Sequence, residues 1–252
     1  PEDHKGAPVT GYRGWHFKTD TGEAILEQGI GLGPRTSAQI VDAVLARIQR
    51  GFQQPFFLHL NFTAPHDPLH IPPGMKERYA QLAKDLPVPG NFLPEHPFDH
   101  GHLGGRDEEL LPWPRTRDAI RRELAAYYVV IEDLDAQLGR LIVRLEADGL
   151  LDRTVVIFTS DHGLALGSHG LMGKQNMYDH TIRVPFIVSG PGIAKGARTK
   201  AFGFLRDLYP TTCELAGIAI PKTVQAKSLA PILRGRKKTV HPAGYGYFRD
   251  VQ

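Results

Sequence analysis

With 252 residues, 41% hydrophobic and 23% charged, the chain has the composition of a folded globular protein, and its length allows one large or two modest domains. A net charge of +3, without any block of about five like charges, gives no sign of a nucleic-acid track. The longest apolar runs fall far short of the ~20 residues a membrane helix needs, and a single cysteine, Cys213, excludes an internal disulfide and a multi-thiolate zinc cluster.

In chain order, residues 1–35 carry seven glycines before Pro34 and read as loop, with a short strand expected around Trp15 to Phe17. Thr36 or Ser37 is placed to cap a helix whose apolar positions, Ile40, Val41, Val44, Leu45 and Ile48, recur at three and four until Gly51. Phe56 to Phe62 has the length of a strand buried on both faces. Residues 65–115, with ten prolines, read as a long surface excursion holding one short helix near Lys76 to Leu82. Arg117 to Leu150 keeps helical spacing through Leu124, Tyr127, Tyr128, Ile131, Leu134, Leu138, Leu141 and Leu145 for about nine turns. Thr154 to Thr159 and Val184 to Ser189 read as buried strands, Asp207 to Ala216 as a helix, and Tyr245 to Val251 as a strand running to the end. Alternating helices and strands define an α/β protein. The absent initiator Met and the strand-like C-terminal end suggest a piece of something longer.

The chemistry concentrates where the strand ending at Thr159 runs into Ser160-Asp161-His162-Gly163, because ligands of open α/β sheets sit beyond the carboxyl ends of strands. Asp161 and His162 offer a carboxylate oxygen and an imidazole to one cation. Taken alone, the same dipeptide also fits a cap followed by a routine histidine hydrogen bond. His96, His100 and His102, spaced four and two apart in the long loop, are weak evidence for zinc and fit solvent-exposed loop better.

The continuation Leu164-Ala165-Leu166-Gly167-Ser168-His169-Gly170, then Lys174, twelve residues past His162, and Arg183-Val184-Pro185, resembles the second half of the sulfatase catalytic domain of the alkaline phosphatase superfamily. Ala64-Pro65-His66-Asp67-Pro68 and Arg206 to Thr211 agree. The resemblance implies an alkaline-phosphatase-like mixed sheet flanked by helices, present across residues 1–252 as a partial domain. It further implies hydrolysis of a small-molecule or saccharide sulfate ester, with Asp161 and His162 as ligands of a divalent cation. Calcium is usual in the family; the imidazole, a softer ligand, leaves manganese open. Lys174 would hold a sulfate oxygen, and His66 would contact the same group and protonate the departing alcohol. His169 would line the substrate pocket or, better supported by its glycine turn, brace the loop. Arg183 would pair with an acidic group near the sheet.

The family nucleophile is a formylglycine made within a Cys-x-Pro-x-Arg element, accompanied by an Asp-Asp pair. Neither element is in this sequence, and Cys213, in an apolar helix, reads as a core thiol. Formylglycine is therefore expected outside these residues. A phosphonate monoester or phosphodiester hydrolase of the same superfamily, or an inactive anion-binding homologue, carries the same Lys, His and metal pattern.

Overall fold

The computed structural model of the protein describes residues 4–6, 14–19, 21–29 and 31–246. They form two units. The first comprises residues 1–97, 110–148 and 166–171; the second comprises residues 98–109, 149–165 and 172–252.

The first unit is helical. Helix α1, Thr36–Gln49, buries Val41 and Ile48 at the predicted spacing, but its N-cap is Arg35 without a side-chain hydrogen bond. The Thr36 hydroxyl instead closes the preceding turn, donating to the Gly33 carbonyl at 2.9 Å and accepting from the Gly33 N–H at 3.0 Å. Helix α2, Lys76–Asp85, lies in the proline-rich excursion. Helix α3, Arg117–Ala147, starts at Thr116, whose hydroxyl accepts the Ala119 N–H at 3.2 Å. It packs against both α1 and α2. Leu69, Ala126 and Val130 form a buried cluster lined by Ala64, Ile71, Tyr79 and Tyr127, the kind of apolar burial that holds helices together better than propensity does. Tyr128 and Ile131, expected on the buried face of α3, are exposed.

Two strand expectations fail in this unit. Phe56 to Phe62 runs outside any named strand, and its residues alternate between exposed and half-buried, with Phe57 73% exposed. The run has strand periodicity, but no strand pairs with it among the described residues. Trp15 to Phe17 is likewise not a strand; the neighbouring Lys18 and Ala24 make a single antiparallel bridge.

The second unit holds strands β1, Val156–Thr159, and β2, Phe186–Ser189, paired antiparallel with Ile157 opposite Val188 and Thr159 opposite Phe186. Neither is fully buried as expected. β1 is half-buried throughout, and β2 exposes Ile187 (61%) and Phe186, since this sheet has two strands among the described residues and leaves apolar side chains uncovered. Helix α4, Asp179–Ile182, precedes β2, and helices α5, Leu208–Leu215, and α6, Ala230–Leu233, follow it. Cys213 on α5 is buried, as a core thiol should be. Asp207, fully buried before α5, accepts from the backbone N–H groups of Phe204 and Lys227 and lies 2.8 Å from His241 Nε2, tying three segments together. The strand expected from Tyr245 to Val251 falls mostly outside the described residues.

Candidate active site

The carboxyl end of β1 delivers Ser160 and then Asp161 and His162. Asp161 Oδ2 lies 3.4 Å from His162 Nε2, while its Oδ1 accepts the His162 backbone N–H at 3.0 Å. His162 Nδ1 is 3.1 Å from the Gly163 carbonyl. A proton on Nδ1 satisfies that carbonyl and leaves Nε2 with a lone pair, 3.4 Å from Asp161 Oδ2. Ligands at ~2.3 Å from a cation and about a right angle apart are separated by roughly 3.3 Å, so the pair has the spacing of two neighbouring donors on one ion. Calcium asks for six to eight oxygens. No cluster of three metal-ligating side chains occurs among the described residues, so the pair fits as part of a donor set.

Gly163 fixes the turn beneath this pair. Its N–H donates to the Thr181 carbonyl at 2.8 Å, and a Cβ here would sit 1.9 Å from the His180 carbonyl oxygen. The β1 loop thus rests directly on the backbone of α4, which no larger residue permits. Asn176 organises the same helix start, its Oδ1 accepting the Tyr178 N–H and the Thr181 hydroxyl.

Lys174 belongs to the same unit. Its Nζ lies 3.2 Å from Oδ2 of Asp107, a carboxylate with only 5% of its side chain exposed. The same Oδ2 accepts from Gln175 Nε2 at 2.8 Å, and Oδ1 accepts from Arg106 at 2.8 Å. Burial alone would raise the Asp107 pKa, but the Gln175 hydrogen bond, the Lys174 charge and the contact with Arg106 outweigh it and hold the carboxyl below its ordinary range. Glu108, also buried, accepts the backbone N–H groups of Met172 at 2.9 Å and Gly173 at 2.8 Å. A Cβ on Gly173 would press on Asp107, Glu108 and Gln175. Sequence reading missed this acidic pair. Its only signal was the Asp107-Glu108-Glu109 run amid prolines and histidines.

His66 and His169 lie in the first unit. His66 Nδ1 is 2.8 Å from the Asp67 carbonyl and 3.1 Å from an Asp67 carboxylate oxygen, and His66 lines a shallow pocket with His70, Thr36 and Asp133. His169, at φ +55°, is tied to the 91–96 segment. Its Nε2 lies 3.0 Å from Asn91 Nδ2, its N–H donates to the Asn91 carbonyl, and its own carbonyl meets His96 Nδ1 at 2.7 Å. These contacts brace the loop. His96 is therefore buried, correcting its assignment to solvent-exposed loop, because its ring is spent on that carbonyl. Gly170 lies so close to Glu95 that a Cβ would fall 2.6 Å from the Glu95 carbonyl carbon. Buried Arg115 donates to the Gly170 carbonyl while stacking over Trp113. Arg183 pairs with Asp179 at 3.1 Å, an exposed contact within one helical turn.

The sulfatase family model matches residues 12–218, and the chain belongs to the sulfatase family. It is 34% identical to an arylsulfatase of Clostridium perfringens over 197 residues, 76% of this chain and 40% of that protein. With human arylsulfatase K it shares 36% identity over 208 residues, 75% of this chain and 37% of that protein. Among solved structures, a phosphonate monoester hydrolase from Silicibacter pomeroyi superposes with a TM-score of 0.69 at 25% identity, covering 92% of this chain and 49% of that one. The fold is thus that of a partial alkaline-phosphatase-like α/β domain. The chain spans about 40% of the length of the curated relatives it matches.

Proposed function

We propose that the protein carrying this chain is a sulfuric ester hydrolase. The observation that bears most on this reading is the Asp161 and His162 pair, 3.4 Å apart at the end of β1, in a chain of the sulfatase family. Asp161 and His162 hold a divalent cation, calcium or, with the imidazole in the set, manganese. When bound, that ion polarises the sulfate oxygens, and a formylglycine from outside these residues supplies the attacking oxygen. Lys174 donates to a sulfate oxygen as negative charge builds there. His66, its Nδ1 engaged by Asp67, exchanges protons through Nε2 and protonates the departing alcohol oxygen. His169 braces the loop or lines the substrate pocket. The substrate is a small-molecule or saccharide sulfate. Among relatives, a choline-sulfatase of Rhizobium meliloti is 32% identical over 190 residues.

Phosphonate monoester or phosphodiester hydrolysis is the second reading, favoured by the likeness to the Silicibacter enzyme. Both readings are tested on the full-length protein with an aryl sulfate, an aryl phosphonate and an aryl phosphodiester. Aryl sulfate should be the preferred substrate, and Lys174→Ala should lower its kcat/KM by about 100-fold. Preference for the phosphonate or the diester would replace the sulfatase reading with the second one. Intact turnover in Lys174→Ala would remove Lys174 from the mechanism.

A further inference from the structure

We infer that Asp107 is the positioning residue for Lys174 and, through the charge it places there, sets the preference of the site for singly charged tetrahedral esters. The inference rests on the proposed role of Lys174. A lysine side chain is a flexible stem carrying a point charge, and aiming it costs rotamer freedom unless something fixes its end. Asp107 Oδ2 lies 3.2 Å from Nζ and has little freedom of its own, being buried and bound by Gln175 and Arg106. Glu108, the next residue, holds the backbone of Met172 and Gly173, so the segment bearing Lys174 is gripped from the adjoining position as well. Asp107 therefore meets the ammonium of a lysine 67 positions away, while Glu108 holds the backbone of the two residues that precede that lysine.

The charges add a consequence. Arg106 and Lys174 carry two positive charges, and Asp107 and Glu108 carry two negative ones, so this cluster is neutral. These four side chains therefore add no net charge of their own to the site. A sulfate monoester bears one negative charge, whereas a phosphate monoester bears about two near pH 7. The Asp107 carboxylate penalises the second charge more than the first, because repulsion scales with the product of charges. Replacing it with a neutral amide should relax that penalty while loosening Lys174.

The test is a double-mutant cycle in the full-length protein using Asp107→Asn, Lys174→Ala and both together, with an aryl sulfate and the matching aryl phosphate as substrates. Asp107→Asn should lower kcat/KM for the sulfate by roughly 10-fold in the parent but less than about 3-fold in the Lys174→Ala background, since a positioning residue acts only through its partner. The sulfate-to-phosphate ratio should fall by about 10-fold in Asp107→Asn. Asp107→Glu, which keeps the charge, should hold that ratio near the parent value. Thermal melts establish that each variant folds; if Asp107→Asn does not, the cycle is run with Asp107→Glu, whose displaced carboxylate should still lose activity only when Lys174 is present. Equal losses in both backgrounds, or a ratio that does not move, overturns the assignment. A parent inactive on aryl sulfate counts against the sulfatase reading alone. The cycle is then read as affinity for an alkyl sulfonate, a singly charged tetrahedral anion, by calorimetry, where absent binding or additive losses overturns the role of Asp107.

Discussion

Asp161 and Lys174 sit in one unit yet are held in opposite ways. The Asp161 carboxylate is 72% exposed, and its contacts come from its immediate neighbours Ser160 and His162. The Lys174 ammonium is 21% exposed and meets a buried carboxylate far away in sequence. An exposed donor with only local contacts can rearrange around an incoming ion at little cost to the fold. A lysine paired with a buried carboxylate cannot move without leaving that charge unpaired, so the Lys174 side chain is held more firmly than that of Asp161.

The harshest way to break this contrast is Glu108→Ala. It removes the acceptor for two buried backbone N–H groups, and each unsatisfied donor costs about 1–3 kcal/mol, so a loss of about 3 kcal/mol in urea unfolding is expected. A loss under about 1 kcal/mol would mean that the 172–175 loop is not held from below. Gly163→Ala comes next. The backbone of α4 must retreat from a Cβ that would otherwise lie 1.9 Å from a carbonyl oxygen, at a cost of about 2 kcal/mol, measurable as a lowered Tm.

A smaller effect is a matter of pH. Because the Asp107 pKa is held below its ordinary value, the stability it contributes is complete above the unfolded carboxyl pKa of about 4 and is lost as pH falls through the lower folded value. Asp107→Asn should therefore flatten the acid limb of a stability profile below about pH 4, and an unchanged limb would contradict the pairing. The smallest effect is expected at Asp161→Ala, which should leave stability within about 0.5 kcal/mol while abolishing any calcium or manganese binding seen by calorimetry in the full-length protein. A large destabilisation there would erase the distinction between the two sides.

Much of the helical architecture was legible in the sequence. Periodicity marked α1 and α3, and these helices lie where their apolar stripes said they would, because a helix satisfies its own backbone and its stripe is a local property. Strands were less legible. Phe56 to Phe62 has the residues of a strand, but pairing depends on a neighbouring backbone that no sequence window contains. The Asp161 and His162 junction was readable from a strand running into an Asp-His-Gly turn. Asp107 and Glu108 were not, since their partners lie 64–68 residues away and an acidic run in a loop ordinarily means a solvated surface. His96 was misread for a related reason: nothing nearby in sequence announces the carbonyl of residue 169.

The burial of Cys213 has a practical side. A shielded thiol reacts slowly with maleimides, and this sequence contains no second cysteine. A cysteine introduced at exposed Tyr209 or Ile218 would therefore be the one position in these 252 residues that takes a fluorophore rapidly, without first removing a native thiol.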